Sequence, residues 1–118
     1  MNEEIKKELV ESLRSGRYKQ TDSVLRRENS YCCLGVLCDI STKYGIGEWV
    51  EDEYGDTMFK TSNGTRISVL PKDVLEWAGL GDKYGSEVYI EKHSLSLTTM
   101  NDEGYSFEKI ADIIEEEL

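Results

Sequence analysis

The sequence predicts an α+β fold, a single compact domain of helices packed on a small antiparallel sheet and ending in a helical hairpin, and three observations carry the prediction. Apolar residues recur at helical spacing near both ends of the chain. An Asn63-Gly64 dipeptide separates two β-type runs in the middle, TMFKTS and TRISVL. Between the first helix and those runs lies YCCLGVLCD (31–39), apolar on nearly every side and therefore a central element rather than a surface one. At 118 residues, without repeats, low-complexity tracts or a Pro/Ser-rich linker, the chain reads as one domain over 1–118.

The elements follow in order. Asn2 can cap a first helix in which Ile5, Leu9 and Leu13 share one stripe, and Gly16 is placed to end it. A polar connector, RYKQTDS, leads to a buried helix from Tyr31 to about Tyr44. Leu34, Leu37, Cys38 and Ser41 form one stripe of that helix, with Cys33, Val36 and Ile40 beside it. Gly35 costs about 1 kcal/mol there relative to alanine, which points to close approach of another backbone. A two-residue turn at Asn63-Gly64 would set Met58 opposite Val69 and Lys60 opposite Ile67, giving an apolar face of Met58, Ile67 and Val69. Strands at Glu48–Glu51 and Val88–Glu91 would extend this sheet. Pro71 opens a short helix at the first-turn position, and two helices, near Ser96–Asp102 and Ser106–Leu118, finish the chain. The last of these puts Phe107, Ile110, Ala111 and Ile114 on one stripe.

The cysteines invite a chemical reading, and the residue pattern argues against it. A structural zinc needs four ligands, whereas Cys32, Cys33 and Cys38 lack paired C-x2-C spacing and the chain holds one histidine, His93. An apolar surrounding raises thiol pKa and so disfavours a nucleophile. The thiols are read as core, with no metal site and no cofactor expected. There is no G-x-S-x-G elbow, phosphate-cradling loop or H-E-x-x-H pair, so no catalytic residue is assigned. The tail LTTMNDEGYSFEKIADIIEEEL imitates a helix-turn-helix, but its presumed recognition helix is strongly acidic, so it reads as a packed hairpin.

Charge narrows the partners. A net charge of −10 opposes binding to polymeric nucleic acid, and no stretch has the roughly 20 apolar residues of a membrane span. The N-terminus carries no signal-peptide apolar run, so the expected compartment is the cytoplasm. Residues 12–27 run against the overall balance, carrying Arg14, Arg17, Lys19, Arg26 and Arg27 against Asp22 alone. These cations either bind an anion such as phosphate or pair with carboxylates elsewhere in the chain.

The run YKQ (18–20), YCCLGVLCD (31–39), LP (70–71), WAGL (77–80) and MNDEGYSFEKIADIIE (100–115), in this order along nearly the whole chain, resembles a widespread family of short uncharacterised bacteriophage and prophage proteins. The resemblance implies a phage-encoded accessory protein, of a kind that can counter host defence, in the cytoplasm of an infected or lysogenic bacterial host. Two expectations of different classes follow. The first is a non-enzymatic protein that sequesters a small nucleotide-type anion. Arg17, Lys19, Arg26 and Arg27 would hold its phosphates, Tyr18 or Trp77 would stack on it, and Gln20, Asp39 or Asn101 would add hydrogen bonds. The second is an acidic interaction protein that blocks a host protein. An unrecognised hydrolase is the third reading, and assembly as a homo-oligomer is left open. Asp39 has its own alternatives, as partner of a connector cation, ligand contact or exposed carboxylate. The sequestering reading needs converging cations in a concave site; the blocking reading needs a flat acidic face.

Overall fold

The computed structural model describes residues 1–118. The first helix, α1 (Glu3–Arg14), starts where Asn2 accepts backbone N–H bonds from Glu4 and Ile5, and Gly16 leaves it with φ +78°. The connector is more structured than its polarity suggests. Lys19–Gln20 form β1, Arg26–Arg27 form β2 and Ser30–Tyr31 form β3, with β3 in the middle, parallel to β1 and antiparallel to β2. Tyr31 therefore belongs to a strand, and the central helix α2 (Cys33–Thr42) begins two residues later than its sequence suggests. Its start is fixed by Cys32, whose sulfur accepts the Gly35 N–H at 3.3 Å.

Helix α2 is the axis of the core. Both predicted stripes, Cys33 to Ser41, are buried. A Cβ on Gly35 would lie 1.8 Å from the carbonyl oxygen of Leu25, which accepts the Cys32 N–H; the close backbone approach expected of this glycine is real.

The second sheet contains β4 (Gly47–Glu51), β5 (Thr57–Thr61) and β6 (Gly64–Arg66), antiparallel throughout. Here the turn sits one residue earlier than expected, which displaces each cross-strand partner by two: Lys60 lies opposite Thr65 rather than Ile67. Thr61 pairs with Gly64, so the turn residues are Ser62 and Asn63, and Gly64 supplies the φ of +128° just after the turn. Side chains alternate with period 2, so a two-residue displacement keeps Met58 and Lys60 on one face; it is the opposite face, carrying Phe59, that turns inward. Phe59 is fully buried, whereas Met58 and Val69 are half-buried and Ile67 is exposed.

Pro71 stands at the N-cap of α3 (Lys72–Trp77) rather than inside its first turn. A short helix α4 (Gly81–Tyr84) follows. Residues near Val88–Glu91 do not extend the main sheet: β7 (Tyr89–Ile90) pairs with β8 (Leu95–Ser96) in a separate two-stranded ribbon, closed by a tight 3-10 turn at Glu91–His93. The tail forms the helical hairpin α5 (Leu97–Asp102) and α6 (Phe107–Glu117), capped by Ser96 and Ser106. Helix α6 packs Ile110, Ala111 and Ile114 without exposure, and its contacts run along α1, where Arg14 bridges to Asp112 and Glu115. No helix is long and apolar enough to cross a membrane.

Candidate binding surfaces

The sequence-predicted site residues separate into four places. Gln20 and Asn101 form a buried brace. The Asn101 Oδ1 accepts from the backbone N–H of Cys33 (3.1 Å) and from Gln20 Nε2 (2.9 Å), and its Nδ2 donates to the Thr21 carbonyl at 2.7 Å. Gln20 also donates to the Tyr105 carbonyl. These polar groups are spent inside the chain, locking β1, the start of α2 and the α5–α6 turn together. The Asn101 side chain is drawn to α2 and β1 while its carbonyl accepts the Gly104 N–H, and Asp102 beside it accepts from the Ser23 N–H.

Asp39 forms a second place. Its carboxylate accepts from the Tyr18 hydroxyl at 2.6 Å and from the Trp49 indole N–H at 3.0 Å, so its partners are aromatic donors and not a connector cation. The reason is geometric: Asp39 leaves α2 toward β4, and the neutral donors of Tyr18 and Trp49 reach it from both sides. Burial together with this bond to Asp39 holds the Tyr18 hydroxyl protonated far above its ordinary range. Tyr18, Tyr31, Trp49 and Phe59 continue as edge-to-face pairs with centroids 4.8–6.0 Å apart. Arg26 covers this chain of rings, its guanidinium carbon 5.0 Å from the Tyr31 ring centre and 5.3 Å from that of Trp49.

Trp77 lies elsewhere. It stacks on Tyr44 at 5.3 Å, beyond the C-terminal end of α2, whereas Asn101 holds the N-terminal end. Ten residues of helix set these ends about 15 Å apart, too far for one small ligand to use both in the way the sequence suggested. Beside Trp77, Glu8 accepts from Lys43 and Tyr44; burial raises its carboxyl pKa, but those two bonds outweigh it and leave the group lowered.

The four connector cations occupy the last place, and they do not converge. The ion pairs of the protein are made by Arg14, Lys43, Lys72 and Lys92, so Arg17, Lys19, Arg26 and Arg27 reach no carboxylate within ion-pair distance. Arg17 lies before β1, and strand alternation splits the other three. Lys19, Ser30 and Arg27 stand in one row across the sheet, while Gln20, Tyr31 and Arg26 stand in the next row, facing the core. An open groove of about 330 Å³ runs past Arg26 and Trp49, but Glu28 and Glu51 line it too, so it is not a simple anion pocket.

The three thiols sit in the core at 6% exposure or less. Burial pushes the Cys32 thiol up to about 11 and those of Cys33 and Cys38 well above their ordinary value, which leaves little thiolate at neutral pH.

A surface overlooked in the sequence is the β4–β5 hairpin. Asp52 Oδ1 accepts the N–H groups of Tyr54 and Asp56, both at 2.9 Å, and the backbone closes through Asp52 and Asp56. This organised turn lifts Tyr54 to 82% exposure among Glu51, Asp52, Glu53 and Asp56. The signal was present in the sequence as DEYGD, a turn composition with an aromatic at its centre. Trp49 was equally legible in principle, as the inward member of the alternating strand GEWVE.

Fold and surfaces together define a small α+β protein that exposes a basic strand row and an acidic hairpin with an aromatic tip, and lays one arginine over aromatic rings. The whole chain, residues 1–118, matches the family model described as Domain of unknown function (DUF8296), and the protein belongs to that family. No curated protein and no solved structure matches it.

Proposed function

We propose that this protein is a non-enzymatic binding protein that blocks a host protein by docking the β4–β5 hairpin on a basic surface. The observation that carries this reading is Tyr54, a large aromatic at 82% exposure on a turn organised by Asp52, ringed by four carboxylates in a stretch without a cation from Glu51 to Phe59. Tyrosine is a preferred anchor of protein interfaces because it brings large rigid area and a polar tip at low entropy cost. The surrounding carboxylates select a basic partner and speed the encounter. The resemblance to phage-encoded proteins supports an accessory role, such as counter-defence, in the cytoplasm of an infected or lysogenic cell.

Sequestration of a nucleotide-type ligand is the second reading, favoured by one observation: Arg17, Lys19, Arg26 and Arg27 keep free of ion pairs in a chain with 24 carboxylates. It stands second because the cations face different ways.

The test is capture from bacterial lysate, followed by affinity measurement on the recovered partner. A partner whose binding weakens by at least about 30-fold, or 2 kcal/mol, in Tyr54→Ser and is lost as salt rises supports the hairpin reading. Equal binding by wild type and Tyr54→Ser, with loss in Lys19→Gln, would reject it.

A further inference from the structure

We infer that the outer face of the β1–β3–β2 sheet is a binding site for a small ligand bearing one or two phosphate groups, with Lys19, Ser30 and Arg27 as its donors. This rests on the sequestration reading and narrows it to one row of the sheet, in a different part of the molecule from the hairpin. The register is the evidence: Lys19 pairs with Ser30 across a parallel bridge, and Ser30 with Arg27 across an antiparallel one. Residues directly opposite on neighbouring strands project to the same face, so an ammonium, a hydroxyl and a guanidinium stand in one line. With strands about 4.8 Å apart, the line spans roughly 10 Å between its outer Cα atoms, the scale of a diphosphate between two flexible cations.

Burial agrees with the parity. Lys19 and Arg27 are exposed and Ser30 half-buried between them, whereas the alternate row is occupied by Gln20 in the brace and Arg26 on its aromatic rings. Arg27 is already held in place by donation from Nη1 to the Thr21 hydroxyl at 3.1 Å, which leaves its other donors to form a fork. Neither cation is neutralised within the chain. The sheet is anchored from below by the Asn101 and Gln20 bonds, so the row is presented on a rigid base. A net charge of −10 repels extended polyanions, which favours a small ligand over a nucleic acid strand.

The adjacent arginines Arg26 and Arg27 thereby serve different ends, and that difference is the test. Amide chemical shifts of the full chain are followed by NMR during titration with millimolar pyrophosphate, with chloride at matched ionic strength as the reference. The expected result is saturable movement of the Lys19, Arg27 and Ser30 amides. Lys19→Gln and Arg27→Gln should each weaken binding by about tenfold, while Arg26→Gln and Tyr54→Ser change it by less than about twofold. Absence of pyrophosphate-specific shifts in the wild type would overturn the site, as would an Arg26→Gln loss equal to that of Arg27→Gln. Tighter binding of a single-stranded oligonucleotide than of pyrophosphate would overturn the small-ligand assignment. The insensitivity of Tyr54→Ser separates failure here from failure of the hairpin reading.

Discussion

Replacing Asn101 by alanine should unfold much of the protein's margin of stability, because one buried side chain completes three hydrogen bonds. The variant leaves the Cys33 N–H without an acceptor at the start of α2 and the Thr21 carbonyl without its donor, while Gln20 keeps the Tyr105 carbonyl. Cys33 is 1% exposed and Asn101 3%, so water cannot substitute freely. Each orphaned buried group costs about 1–3 kcal/mol, and the two together about 2–6 kcal/mol, against a total stability of about 5–15 kcal/mol. With a urea dependence of about 1–2 kcal/mol/M, a loss near 4 kcal/mol moves the unfolding midpoint by roughly 2–4 M. Asn101→Asp keeps the acceptor for Cys33 but sets a buried carboxylate oxygen against the Thr21 carbonyl, where Nδ2 donates at 2.7 Å, so at neutral pH it should be at least as destabilising as alanine. The assay is urea unfolding followed by circular dichroism. A shift under about 1 kcal/mol for Asn101→Ala, with an unchanged urea dependence, would refute the brace and return Asn101 to the pool of free ligand residues.

Gly35→Ala should abolish the native fold, since its Cβ would meet the Leu25 carbonyl oxygen at 1.8 Å and backbone would have to move on both sides; a cooperative melt near that of wild type would contradict the packing. Phe59→Ala should cost about 3–5 kcal/mol and Met58→Ala distinctly less, and the reverse order in denaturant titrations would return Met58 to the buried face that the sequence suggested. Asp73 is held below the ordinary carboxyl range, near 3.9, by hydrogen bonds from Thr61 and then Asn63. Its contribution is therefore present above that ordinary value and lost as pH falls through the lower folded value. Asp73→Asn should lower the melting temperature at neutral pH and converge with wild type in strong acid; a constant difference across that range would refute the linkage.

What the sequence made legible was local. The Asn2 cap and the stripes of α2 and α6 each depend on residues within a few turns of one helix, and the tight approach at Gly35 is signalled by a glycine inside an apolar helix, so the chain states them directly. The brace could not be read, because Gln20 and Asn101 are 81 residues apart and either alone looks like an ordinary polar surface residue. Asp39 was recognisable as a carboxylate in need of a partner, but its donors are set by tertiary packing that brings β4 and Tyr18 to α2. The hairpin failed for a different reason: both Asn63-Gly64 and Ser62-Asn63 make acceptable two-residue turns, and the alternating run TMFKTS offers Met58 on one face and Phe59 on the other, so tertiary packing against Trp49 decides which face turns inward. The same parity governs the candidate site. Composition grouped Arg26 with Arg27 because they are close in sequence, but adjacent residues on a strand face opposite ways. Across the sheet, Lys19 belongs with Arg27, and Arg26 belongs with Tyr31 and Trp49. A cluster of charge in a sequence thus becomes a binding site only after strand register has decided which of its members can reach the same ligand.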